Sequence, residues 1–334
     1  LSCLWEFRYP LFQMGPGVTD TPTCTTVPAR VGHVRGCDTY DLLPALSVLD
    51  DSAETHRQTT ERSLPMRVFK YYTRTNVNYM VEVFAVASGK GGTGKTTSTL
   101  ALGMALATEY DVTVIDTDTG MANMLFHTGL SDTETTLHEV LGGQAAVDEA
   151  IYERFGMDVI PCGTSLAGFR EADPTRLREV VATVAGGTDV ILLDSAATLG
   201  TRSAVLPIVL ADRIVIVLQP TVPSISDGLK VQEYAKTYGT DVAGVLFNRV
   251  TEDENIDTVA AKAQRYFDGQ TLAKVPESEK VRAARRASKP LLAHAAESAA
   301  AAAYREAAGE LTVRDADSTA VADRFRNAVI PDES

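Results

Sequence analysis

The residue types best suited to chemistry are concentrated in one stretch, Ser88-Gly89-Lys90-Gly91-Gly92-Thr93-Gly94-Lys95-Thr96-Thr97. Gly89, Gly94, Lys95 and Thr96 occupy the fixed positions of G-x-x-x-x-G-K-[ST], a loop whose backbone N–H groups cradle phosphates. A triphosphate carries several negative charges that must lie against main-chain donors. Glycines at 91, 92 and 94 allow that approach because no Cβ intervenes. A helix opening at Thr96 adds the positive end of its dipole. The whole run from Gly89 to Thr97, Thr93 included, is therefore the expected nucleotide contact. Lys95 is expected to reach the β- and γ-phosphates, the Thr96 hydroxyl to ligate Mg²⁺, and Thr97 to touch the α-phosphate side.

Such a loop works only if a strand ends where it begins and a helix starts where it ends. Val81 to Ala87 supplies a nearly continuous apolar run, and Leu100, Ala101, Met104 and Ala105 recur at helical spacing after the loop. Two further apolar runs end in carboxylates. Val112 to Asp116 leads into Asp116-Thr117-Asp118-Thr119-Gly120-Met121-Ala122-Asn123, and Val190 to Asp194 leads into Ser195-Ala196-Ala197-Thr198. Carboxylates there can hold water or a hard cation beside the phosphates. Asp194, after four apolar residues, is expected to reach Mg²⁺ through water.

With a second lysine, Lys90, at the head of the loop, the K-G-G-x-G-K-T-T form resembles the deviant Walker A loop of the MinD/ParA family of ATPases. The resemblance runs over nearly all of residues 80 to about 310. It implies an ATP-dependent homodimer in which Lys90 reaches the partner subunit's nucleotide. It also implies that Asp118 holds the attacking water and that Asp116 lies near the Mg²⁺ shell, so Lys90, Lys95 and Asp118 are the expected catalytic set. The segment at Asp116 is similar to the D-x-D-x-G-L-x-N form of the MinD branch and less like that of plasmid-partitioning ParA. Asn248 and Arg249 resemble the family's adenine-reading strand end, and Pro276 and Glu277 its turn over the base. An amide at 248 can pair both donor and acceptor with the adenine edge, and a guanidinium at 249 can stack on the ring. The sequence departs from the family where D-[ST]-P-[AP]-G is usual: Ala196 stands for proline and Thr198 for glycine, which bears on switching and hydrolysis rather than on binding.

Other strands are expected at 157–161, 213–218, 242–248 and 271–275. Helices are expected at 96–109, 137–141, 175–185, 203–211, 224–238, 256–267 and 294–311. This alternation specifies an α/β fold with a mostly parallel sheet covered by helices on both faces and a ligand at the carboxyl ends of the strands, and with the loop motif the resemblance implies a P-loop NTPase.

Residues 1–79 carry scattered Pro, Gly, Cys and Thr without a period, and are expected to be a disordered or non-native extension ahead of a natural start at Met80. The ATPase domain is expected over 80–311, followed by an acidic tail over 312–334. The tail offers few apolar residues at helical spacing and only two arginines after Thr319, a poor membrane anchor.

The formal net charge is −13, and only nine of the 31 basic residues are lysine. This composition fits either solvation in high salt or an ordinary acidic cytosolic protein. In both cases it opposes a surface that holds DNA by counterion release, so nucleic acid is not expected as a partner. The four cysteines include no C-x-x-C, which argues against zinc or a bridging iron–sulfur centre. His127, His138 and His294 are isolated and read as surface or capping residues, and Cys162 as a small buried hydrophobe. The functions left standing are a MinD-like spatial regulator with an unidentified protein partner, a ParA-like segregation ATPase, and an ATP-binding scaffold with little hydrolysis. A cytoplasmic location, peripheral to a membrane or pole, goes with the first.

Overall fold

The computed structural model describes residues 81–197, 202–252 and 255–314. The expectations for 1–79, for Met80, for Thr198 and for the tail beyond Arg314 lie outside the described residues. Eight strands form one sheet: β1 (Glu82–Ala87), β2 (Val112–Asp116), β3 (Tyr152–Arg154), β4 (Met157–Ile160), β5 (Val190–Asp194), β6 (Arg213–Leu218), β7 (Asp241–Val250) and β8 (Gln270–Pro276). Their order is β3-β4-β2-β5-β1-β6-β7-β8, and every pairing is parallel except β3 with β4.

The helices are α1 (Lys95–Leu106), α2 (Met124–Thr128), α3 (Leu137–Leu141), α4 (Leu166–Glu171), α5 (Leu177–Val184), α6 (Arg202–Leu210), α7 (Val222–Thr237), α8 (Ile256–Ala263), α9 (Glu279–Arg286), α10 (Leu291–His294) and α11 (Ala299–Glu310). Because successive strand residues point to opposite faces, β1 feeds two cores. Val83, Ala85 and Ala87 pack with α5, α6 and α7, whereas Phe84 and Val86 pack with α1 and α11. Each fully buried Val, Leu or Ile contributes roughly 1.5–3 kcal/mol, so the doubly covered sheet is the stable platform of the molecule.

Several expectations need correction. The run expected as a helix from 294 is helical only from Ala299, because His294 ends α10, the chain then unwinds, and Ser298 caps α11 by accepting from the Ala301 N–H at 3.2 Å. The 256–267 run stops being helical at Ala263, and the first helix ends at Leu106. Strand β3 was not expected. It is joined to β4 by Phe155 (φ 53°) and Gly156 (φ 83°), a two-residue hairpin turn built on Phe-Gly rather than the usual Asn-Gly. Helix α9 was not expected either, because it buries only Ala284.

At the amino edge of the sheet, Glu82 is buried and accepts from Arg213 Nε at 2.6 Å and from the Arg314 N–H at 2.5 Å. Arg213 also donates to the Thr312 carbonyl and lies 4.9 Å from the Phe84 ring centroid. This ion pair fastens the end of the described chain under β1 and β6. Replacing Arg213 with Met leaves a buried carboxylate without its cation, and is expected to lower urea-unfolding stability by about 3 kcal/mol. The double variant Glu82→Leu/Arg213→Met should recover most of that loss, and equal losses in the two would contradict the assignment.

Candidate nucleotide site

Strand register gathers the site before any side chain is considered. Val86 pairs with Asp194 across β1 and β5, and Asp194 pairs with Asp116 across β5 and β2. The loop that leaves β1 therefore starts in the same row as both strand-end carboxylates, although these are far apart in sequence.

The loop is braced from within. The buried Ser88 hydroxyl donates to the Lys90 carbonyl at 2.9 Å and accepts from Thr93 Oγ1 at 2.9 Å and Lys95 Nζ at 3.1 Å. The sequence reading did not single out Ser88, because the general motif leaves that position free. Gly92 and Gly94 have φ of 78° and 101°, the left-handed conformation that glycine adopts without strain. A Cβ on Gly94 would lie 2.2 Å from Asn248 Nδ2, so the loop is also pressed against β7. The Asn248 amide donates to the Thr93 carbonyl at 2.7 Å, and its oxygen accepts from the Arg249 N–H at 2.9 Å. Part of the amide's capacity is thus spent on bracing the loop.

Asp194 accepts from Thr99 Oγ1 at 3.2 Å and lies beside Thr96. Burial pushes its pKa up to about 6, against the stabilising effect of Thr96, Lys95 and Thr99. Burial raises Asp116 well above the carboxylate range, and neighbouring Asp194 reinforces that. Both Asp116 oxygens are engaged by main-chain donors, the N–H groups of Asp118 and Met124, each at 3.2 Å. Burial lowers the Lys95 pKa, while Asp194 and Asp118 oppose it. A buried carboxylate pair beside a glycine-rich anion cradle suits a divalent cation held between protein and phosphate oxygens. Among the described residues no three His, Cys, Asp or Glu side chains gather into a cage of their own.

A cavity of about 430 Å³ opens above the loop, with Lys95, Thr96, Thr97, Asp118, Ser195 and Ala197 on its walls. A smaller one of about 90 Å³ continues from it between Asn248, Arg249, Pro276 and Glu277 and shares Gly94 and Thr97. The residues expected to hold phosphate and base thus border one continuous region. Gly91 and Gly92 also face it, whereas buried Thr93, Asp116 and Asp194 and half-buried Gly89 and Lys90 are not on its walls. A larger cavity, about 590 Å³, lies between the far ends of α1 and α11, away from every loop residue. We place the chemistry in the smaller region because only there do lysine, hydroxyl and carboxylates converge.

Three wall residues had no signal strong enough to find them: His127, Arg282 and Arg285. The arginines sit on the unexpected α9, and His127 is buried rather than at the surface. Burial, with the Arg285 charge beside it, lowers its pKa to about 4. His138 is buried as well, which also corrects the surface reading, and Cys162 is buried as expected.

A parallel sheet with a glycine-rich loop between β1 and α1, and carboxylates at the ends of two neighbouring strands, defines an α/β P-loop nucleotide-binding protein. Residues 84–291 match the CobQ/CobB/MinD/ParA nucleotide-binding domain, and the chain belongs to that family. It is 38% identical over 218 residues to an uncharacterized ATP-binding protein of Methanocaldococcus jannaschii, covering 65% of this chain and 82% of that one. It is 31% identical over 216 residues to the septum site-determining protein MinD of Thermotoga maritima, covering 60% and 78%. Among solved structures it resembles MinD complexed with Mg-ADP from Pyrococcus horikoshii, with 32% identity, a TM-score of 0.64, and coverage of 69% of this chain and 96% of that one.

Two outcomes follow from this geometry. Gly94→Ala, which places a methyl against Asn248 in a left-handed conformation, is expected to abolish nucleotide binding in a fluorescent-nucleotide titration while the far-ultraviolet circular dichroism stays unchanged. For His127 the folded pKa lies below the unfolded value, so the unfolded chain takes up the extra proton and stability falls as pH drops from about 6.5 to about 4. The buried carboxylates act in the opposite direction. The stability difference between wild type and His127→Leu, measured in urea at pH 7 and pH 5, should therefore shift against wild type at the lower pH.

Proposed function

We propose that the chain is a MinD-like ATPase whose ATP-driven dimer serves spatial regulation, such as positioning a division site or a polar assembly through an unidentified protein partner. The observation that carries this reading is the convergence of Lys95, Thr96 and Asp118 on one cavity above the braced loop. ATP is the substrate. Its phosphates are held by the backbone from Gly89 to Thr97 and by Lys95, and its base lies between Asn248, Arg249, Pro276 and Glu277. The Thr96 hydroxyl and, through water, Asp194 would hold Mg²⁺, which would supply charge neutralisation to the phosphates. Asp116 belongs to the layer behind, because its oxygens already hold the loop of Asp118.

Asp118 accepts the Met121 N–H on Oδ1 at 3.0 Å and keeps Oδ2 for the attacking water, whose orientation it fixes. Lys90 has no ion-pair partner among the described residues, which suits a cation reserved for the nucleotide of a second subunit. Similarity to MinD proteins supports the family-level switch. The net charge of −13 disfavours DNA segregation. Among the described residues no helix is long and apolar enough to cross a membrane. Ala196 in place of the family's proline favours a second reading, a nucleotide-dependent scaffold with little turnover.

Lys95→Ala should abolish ATP binding. Lys90→Ala should leave monomer binding intact while blocking ATP-dependent dimerisation and turnover, and Asp118→Ala should accumulate an ATP-bound dimer that does not hydrolyse. Light scattering with a phosphate-release assay in Mg²⁺ and high potassium salt reads all three. Wild-type turnover stimulated by duplex DNA would overturn the non-segregating reading, and dimerisation with no turnover would establish the scaffold.

A further inference from the structure

His138 lies outside the cavity yet is tied to its catalytic loop. Its ring is buried, and Nε2 lies 3.0 Å from the Thr119 carbonyl oxygen. A carbonyl only accepts, so Nε2 carries the proton and Nδ1 is left as a bare acceptor. That Nδ1 is buried without a hydrogen-bond partner. The nearby Thr136 hydroxyl cannot serve it, because it already donates to Glu139 at 2.5 Å. The ring occupies a slot cut to its shape: a Cβ on Gly163 or on Gly168 would come within 2.8 or 2.9 Å of Nδ1. A leucine of similar volume would fill the slot with no orphaned atom. What the imidazole adds is the single bond to Thr119.

That bond matters because of what it flanks. On one side of Asp118, Thr117 is fixed twice to the Asp194 carbonyl, through N–H at 3.0 Å and Oγ1 at 2.7 Å. On the other side Thr119 is held by His138. We propose that His138 is a positioning residue that completes the clamp on Asp118, setting the carboxylate at the angle it needs toward water. It also connects that loop to α4, whose Gly168 lines the slot and whose Phe169 ring lies 3.8 Å from the Cβ position of Gly120. The inference rests on the reading of Asp118 as the water-holding group, but the clamp itself is measurable without turnover.

The test compares two amides in the full chain. Glutamine at 138 places its N–H near the Nε2 position and reaches Thr119, whereas asparagine places it near Nδ1 and does not. In the nucleotide-free protein, His138→Asn should speed hydrogen exchange across residues 117–124 at least tenfold, with 95–106 unchanged, and His138→Gln should restore protection. With ATP, His138→Asn should lower kcat by about 100-fold, the scale of a misplaced catalytic group, with fluorescent-ATP affinity within twofold of wild type. His138→Gln should recover most of kcat. Unchanged exchange at 117–124, or equal loss with both amides, would overturn the proposal. If the wild type does not hydrolyse ATP, the hydrolytic reading fails while the exchange comparison still decides the clamp.

Discussion

The structure depends on keeping Lys95 charged where water is scarce. Burial pulls its pKa down, and two carboxylates, Asp194 and Asp118, counter that. Burial in turn disfavours the charged form of Asp194, and Lys95 counters that, so cation and anion hold one another in their useful states. The arrangement is stable only because β5 is threaded between β1 and β2, which lays Asp194 beside the loop and Asp116 beside Asp194. Without that strand order each charge would be an isolated burden in the core.

Around this centre the protein spends polar groups on rigidity. Ser88 ties three loop residues together, Asn248 pins the loop to β7, and Asp116 gives both oxygens to the backbone that carries Asp118. Phosphate recognition gains from such preparation because donors already aimed need little reorganisation on binding. The same economy explains why several expected contacts are not on the cavity walls: Thr93, Asp116 and Asp194 hold other residues in place.

Legibility followed the range of the forces involved. The strands from Val81, Val112, Val190 and Arg213 were readable because buried parallel strands are uninterrupted apolar runs, and capped α3 and the glycine-rich loop carry local signatures. Helix α9 was hidden because three of its eight residues are arginines and only Ala284 is buried. The break after His294 was hidden by the alanine run that follows it. His127 and His138 were misread because nothing in the residues beside them announces that they are buried.

The sequence by itself determined the chemistry of the loop. Phosphate binding needs glycine where φ is positive, a lysine and a hydroxyl at fixed offsets, and a strand and helix on either side, and all of these are contiguous in the chain. Tertiary structure alone decided which distant residues serve that loop: Asp194 by strand order, Asn248 by contact with Thr93, His138 by its bond to Thr119. An uninterrupted apolar run says that a strand is buried but not which strand lies beside it. That choice is made by the packing of whole faces against helices, and with it came the partners of every charged group in the site.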